Sequence, residues 1–351
     1  METTQNTTQS DQLHVQTLPQ ELSYPAPNSS EIGHLWTSYQ AETVSVCMLK
    51  QYVHEASDPE IRSLLQRTLD ISSQRVQTMK NLFETIHHPI PMAFGEKDVT
   101  INAKALFNDS FKLAYTRLMH KLVLINNCQA FSISSRLDFR DYFKECIDTS
   151  QEIIQKATNV LIARGALIHS PYIEIPQNIE IVHNKNYAGT LFGDTRALNA
   201  IELSHIISLL ETKMLIRLQT IAFSQIVRSD IIRNHFLKII HIADKHIHKL
   251  ESILDAEKLP KPTTIYYNVT DSVESPFSDR LMLAHSTATT AFVIAGYGLA
   301  IPNSPKLDLL SAYHNFAGEL LNLAKDGSKL MIEKNWLERI PEAVNRDELL
   351  H

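Results

Sequence analysis

Apolar positions along this chain recur every three to four residues in long runs, which is the period of an amphipathic helix. Ile32, Leu35, Trp36, Tyr39, Thr43 and Val46 line one face of a first helix that runs to about Val53. Asn28 and Glu31 stand before it in capping-box spacing, a side-chain acceptor followed three residues on by a carboxylate. Pro59 suits the first turn of a second helix carrying Ile61, Leu65, Leu69, Val76, Met79, Leu82 and Phe83. A long polar connection with Pro89, Pro91 and Gly95 extends from His87 to about Ala103. A third helix is predicted from near Leu106 to about Phe131. A fourth runs from Leu137 to about Arg164 and ends at Gly165, a favoured residue past a helix C-terminus. Pro171 and Pro176 then open a linker that reaches about Leu198.

From there the pattern is written a second time. Phe107, Asp109, Leu113 and Ala114 recur 170 positions on as Phe277, Asp279, Leu283 and Ala284. Earlier in the repeat the offset is 171, pairing Asn28 with Asn199, Glu31 with Glu202, Tyr52 with Phe223, Leu65 with Phe236 and Leu69 with Ile240. The single-residue slip falls in the long connection, where length changes most cheaply. Each copy thus joins its helices short, long, short. A four-helix bundle with one long crossover is the ferritin-like arrangement. The expected fold is all-α: a tail over 1–24, a bundle over 25–171, a linker over 172–198 and a second bundle over 199–351. A helical solenoid is set aside, because solenoid repeats run to roughly 20–50 residues.

Composition changes this picture little. Of the 351 residues 44% are hydrophobic and 21% charged, as in ordinary globular proteins, and the net charge of −6 shows no basic face for nucleic acid. Cys47, Cys128 and Cys146 are too scattered for a disulfide framework or a C-x-x-C motif, which suits a reducing cytosol. The tail is Thr- and Gln-rich, without the apolar stretch of a signal peptide. Leu281 to Ile301 lacks charge and is long enough to span a bilayer. Its counterpart in the first copy carries Lys112, Arg117 and Lys121, so a membrane span is not expected.

Leu198 to Glu202, Phe223 to Gln225, Ser275 to Asp279, and Asn335 to Glu338 with Pro341 form a set of stretches with one joint likeness. Together they resemble a family of tandem ferritin-like bundle proteins from spore-forming bacilli, catalogued as a domain of unknown function and distantly similar to spore coat protein F. Asn335 stands where the family pattern has Gly, and Ile340 where it has Pro. The resemblance implies the tandem bundle fold and a link to sporulation or stress. It brings no catalytic residues.

A di-iron or di-manganese bundle site needs a Glu from each of two helices and a Glu-x-x-His pair from each of the other two. Glu42 and Glu211 have the look of first ligands, but Glu42 aligns with Lys213 and Glu211 with Gln40. Asp70 is followed by Ser73 and Gln77, and Glu145 and Asp148 have no His beside them. The second copy offers His241, Asp244 and His248 on one helical face, with His285 and His314 on helices that could face it. There is no phosphate-binding glycine loop, G-x-S-x-G or HExxH motif. The three thiols are expected inside helices as inert core residues. The sequence therefore names no catalytic, cofactor-binding or metal residue. It favours a non-catalytic structural or interaction protein of the cytoplasm, with a site for iron, manganese or zinc in the second bundle as the alternative. One surface stands out. Ala284, Ala288, Ala291, Ala295 and Gly298 form a small-residue seam on an uncharged helix, which suggests cover by the first bundle or by another subunit.

Overall fold

Eight α-helices follow the expected order, and the computed structural model describes them within residues 25–184, 186–189 and 196–350. They are α1 (Ser29–Glu55), α2 (Pro59–Thr85), α3 (Asp109–Ile133), α4 (Leu137–Ala163), α5 (Ala200–Ile226), α6 (Asp230–Ala256), α7 (Asp279–Ala300) and α8 (Leu307–Glu333). Helices α1–α4 pack as one four-helix unit and α5–α8 as a second. The tail expected over 1–24 lies outside the described residues. No helix among the described residues is long and apolar enough to cross a membrane.

The helix ends explain which residues recur. Asn28 accepts from Glu31 N, and Glu31 accepts from Asn28 N, a closed capping box repeated by Asn199 and Glu202. Both carboxylates then reach further. Glu31 Oε1 accepts the backbone N–H groups of Ser135 and Arg136 at 2.7 and 2.8 Å, and Glu202 Oε1 accepts that of Lys306 at 3.0 Å. Each thereby ties the start of the first helix in its unit to the start of the fourth. Asp109 Oδ2 accepts from Ser57 N and Asp58 N at the α1–α2 turn, and Asp279 accepts from Arg228 N and Ser229 N at the α5–α6 turn. Asn335 proves to be the left-handed residue after α8, at φ 57°, matching Gly165 at φ 62° after α4. Asn tolerates that conformation better than most side chains, so the departure from Gly is accommodated.

The long crossovers have a structural purpose that periodicity does not reveal. Val99 pairs with Phe277 and Phe107 with Val269 in two short antiparallel bridges. Thr100 N donates to Pro276 O at 2.7 Å, and its counterpart Thr270 N donates to Leu106 O at 2.9 Å. Asn108 N donates to Asn268 O and Ser278 N to Asp98 O. Each crossover therefore pairs with the strand-like approach to the third helix of the other copy, about a pseudo-twofold axis. For this reason α3 begins at Asp109 rather than near Leu106, whose carbonyl belongs to the pairing. Phe107 and Phe277 are 1% and 4% exposed, and pack on Tyr52 and Phe223 respectively. Burying a phenylalanine contributes about 1.5–3 kcal/mol.

One buried apolar cluster runs through both units, from Val44 and Phe107 to Leu210, Phe223, Tyr297 and Met331. A smaller one, with Leu35, Tyr39, Phe83 and Phe143, fills the end of the first unit nearest the start of α1. Leu69 packs half-buried against the core and Ile240 is half-buried, while Leu65 and Phe236 are fully enclosed. On α7, Thr290 is buried, but Ala288, Ala291, Ala295 and Gly298 of the small-residue seam are exposed.

The capping carboxylates contribute to the acid dependence of stability. Burial alone would raise the Glu31 carboxyl, but the N–H groups of Arg136, Asn28 and Ser135 outweigh it and hold it below 4.5. Burial likewise works against Glu202, and Arg196 with the N–H groups of Asn199 and Lys306 prevails, again lowering it. A depressed carboxyl contributes stability above its unfolded value and loses it as pH falls through the folded value. Glu31→Gln and Glu202→Gln should each cost roughly 1.5–3 kcal/mol at neutral pH, the range for hydrogen bonds to a charged group. Thermal melts from pH 7 down to 3 should show a shallower acid decline in the variants than in wild type; parallel curves would contradict the assignment.

Candidate functional site

The most concentrated polar chemistry lies at the midpoint of each bundle, at equivalent positions. In the first unit α1 brings Glu42 and α2 brings Arg75 onto buried faces that are mostly apolar. Arg75 Nη1 donates to Glu42 Oε1 at 2.7 Å, with side chains 4% and 7% exposed. Its Nη2 donates to Cys146 O, Thr149 Oγ1 and Ser150 Oγ on α4 at 2.6–3.0 Å. Burial works against the Arg75 charge, but Glu42 opposes it strongly and the net shift is upward. Removing one partner of such a pair typically costs about 3–5 kcal/mol, because the other charge is left buried and alone. His120 on α3 lies nearby, pushed down to about 3 by burial and by the Arg75 charge.

In the second unit each of these residues has changed. Lys213 replaces Glu42, His246 replaces Arg75 and Glu319 replaces Thr149. Lys213 Nζ lies 2.8 Å from His246 Nδ1, and His246 Nε2 lies 3.1 Å from Glu319 Oε2. Tyr297 and Phe316 wall the chain: the ammonium sits 5.2 Å from the Tyr297 ring centre, and the imidazole stacks on Phe316 at 3.9 Å. Lys213 and His246 are 3% and 0% exposed, whereas the Glu319 side chain is 32% exposed and also meets Lys245. Burial pulls the Lys213 amine down to about 7, against the opposing pull of Glu319. It pulls His246 down to about 3, helped by the neighbouring Lys213. The arrangement can pass a proton between a buried amine and a carboxylate at the surface. Glu319 opens there onto a depression lined by Lys245, Lys249, His314, Asn315 and Phe316.

The residues singled out from sequence do not converge. His241 and His248 are exposed on α6, and His248 lies 2.8 Å from the carbonyl of Asp244 in its own helix. Asp244 pairs with Arg217, and His314 is exposed on α8. His285 is buried at the junction of the two units, 2.6 Å from the hydroxyl of Tyr115, with burial pulling it down to about 4. Glu211 bonds to Arg117 and Lys121 at 2.7 Å each, across the units. Asp70 accepts from Gln66, Glu145 from Gln74 and Asp148 from Lys144. Ser73 and Gln77 face outward on α2 without gathering such ligands. Cys47 and Cys146 are buried as expected, but Cys128 is exposed on α3. His246 was hidden among three closely spaced histidines. Its signal was its place on the buried stripe Ile239, Ala243, His246, Ile247 and Leu250.

These donors do not suit a bundle metal centre. A permanent guanidinium fills the first midpoint, and a lysine stands in the second where the matching carboxylate would be. Among the described residues no three His, Cys, Asp or Glu side chains gather so as to hold a metal. Lys213 has a consequence for stability. The folded chain releases the Lys213 proton near 7 and the unfolded chain near the ordinary 10.5, so stability rises with pH across that window. Lys213→Met should flatten the rise in denaturant melts between these values; an unchanged slope would contradict the buried amine.

A family profile described as "Protein of unknown function (DUF3231)" matches residues 26–179 and again 188–349. No curated protein matches the sequence. A crystal structure described as a "putative spore coat protein" from Bacillus halodurans C-125 is similar, with 15% identity and a TM-score of 0.39 over 43% of this chain and 98% of its own.

Proposed function

The chain belongs to the DUF3231 family, a family of unknown function, and on that premise we propose that it is a non-catalytic structural or interaction protein. The observation that carries this reading is the filling of both bundle midpoints. Arg75 is held by Glu42 and by Cys146, Thr149 and Ser150 on α4, and Lys213 is joined through His246 to Glu319, so cationic groups already occupy the space between the helices. In ferritin-like carboxylate enzymes those inward positions hold the reacting metals. Here they hold the helices in register, a role attested for some buried polar groups in helical assemblies. The division into bundles at 25–171 and 199–351 with a linker between them, and the cytoplasmic location, belong to the same proposal. A role in sporulation or stress is supported by family resemblance alone, which is analogy rather than chemistry.

The test is metal analysis of purified protein. After chelator washing, iron, manganese and zinc should be far below one atom per chain, and added iron(II) should neither raise the melting temperature nor be oxidised faster than in buffer. Stoichiometric retained metal, or iron-dependent oxidation lost in His246→Ala, would overturn the structural reading in favour of a metal-binding bundle.

A further inference from the structure

The pseudo-twofold axis passes between residues that occupy the same position in the two copies. Lys104 and Glu274 are 170 positions apart and meet there: Lys104 N donates to Glu274 Oε2 at 3.1 Å, and Nζ lies 3.7 Å from Oε1. Tyr115 and His285 are likewise 170 positions apart and share a hydrogen bond of 2.6 Å in the buried centre. Two identical halves would place the same side chain on both sides of such an axis. This chain places a cation against an anion, and a phenol against an imidazole held neutral by burial.

The asymmetry continues off the axis. Glu211 on α5, with 10% of its side chain exposed, bonds to Arg117 and Lys121 on α3. At the equivalent contact between α1 and α7, those three positions are Gln40, Thr287 and Ala291. Arg280 stacks on Phe94 at 4.3 Å, donates to Ala93 O and lies 3.9 Å from the buried Asp98. The equivalents of Arg280 and Asp98 are Ser110 and Asn268. The phenol of Tyr115 also donates to Gln219 at 2.6 Å, where the first copy has Met48.

From these contacts we infer that the two halves are an obligate unlike pair: the face around the axis takes the other half and rejects a second copy of itself. Pairing two first halves would set Lys104 on Lys104, leave Arg117 and Lys121 without Glu211, and leave Asp98 without Arg280. Pairing two second halves would set Glu274 on Glu274 and bury Glu211 against Thr287 and Ala291. A buried carboxylate stripped of its partner is a strong penalty, and penalties against the wrong partner are what make an interface selective. Residues 172–182 between the halves are exposed, so the connection can be cut there without opening either bundle.

The test uses the full chain with a specific protease site inserted between Asn178 and Ile179, where both neighbours are exposed. After cleavage of the folded protein, gel filtration and native mass spectrometry should find both fragments in one complex of unchanged mass. After unfolding in urea and refolding, the unlike pair should again be the sole paired species. Like pairs, or halves that migrate separately, would overturn the inference. If the refolded fragments aggregate, the uncut chain decides. Glu211→Lys should lower the melting temperature, and adding Arg117→Glu with Lys121→Glu should restore most of the loss. A Glu211→Lys chain that melts like wild type would equally overturn it.

Discussion

Four backbone hydrogen bonds about the pseudo-twofold axis, from Thr100, Asn108, Thr270 and Ser278, constrain nearly everything else in this molecule. They hold each crossover against the entry to the third helix of the other copy. That pairing fixes where α3 and α7 begin, and it drives Phe107 and Phe277 into the core. It also brings Asp109 and Asp279 to the turns between the first two helices of each unit. A bridge of so few residues is marginal in water by itself. Here it is backed by Phe107 and Phe277, packed on Tyr52 and Phe223, and the copies also meet in the buried pair of Tyr115 and His285. The resulting core is continuous, so neither unit encloses all of its own apolar surface.

Around this shared frame the two copies have diverged in polar content. The midpoint of the first is a charged pair, Glu42 with Arg75. The midpoint of the second is a lysine close to losing its proton, joined through His246 to a carboxylate at the surface. Both satisfy the same geometric slot on the first, second and fourth helices. The slot tolerates different chemistry because in each copy the buried charge or amine has a hydrogen-bonding partner on a facing helix. The cross-unit contacts have diverged in the same way, with Glu211 between two cations on one side of the axis and Gln40, Thr287 and Ala291 on the other.

Local features of this fold were legible in the sequence and non-local ones were not. Capping boxes at Asn28 and Asn199, the helix-opening Pro59 and the stop at Gly165 act within a turn of chain, and each lies where the pattern placed it. The duplication was legible because Phe, Asp, Leu and Ala at matched places serve the same contacts in both copies. The pairing of the crossovers was not, since Val99 and Phe277 meet through tertiary structure and carry no periodicity of their own. The same holds for the candidate site. His241, Asp244 and His248 share a helical face, as spacing says, but that face points to solvent. His246 lies on the other face, where an imidazole among isoleucines reads as one more core position. Leu69 and Ile240 lie on apolar stripes yet remain half-buried, because burial depends on which neighbour covers the edge of the stripe.

The central claim is that two bundles share one core through this axis. Differential scanning calorimetry of the intact chain tests it most directly. A shared core predicts one endotherm whose calorimetric and van't Hoff enthalpies agree, the signature of a single cooperative unit. Two resolved endotherms, or a calorimetric enthalpy near twice the van't Hoff value, would mean that the bundles unfold independently and would contradict the account.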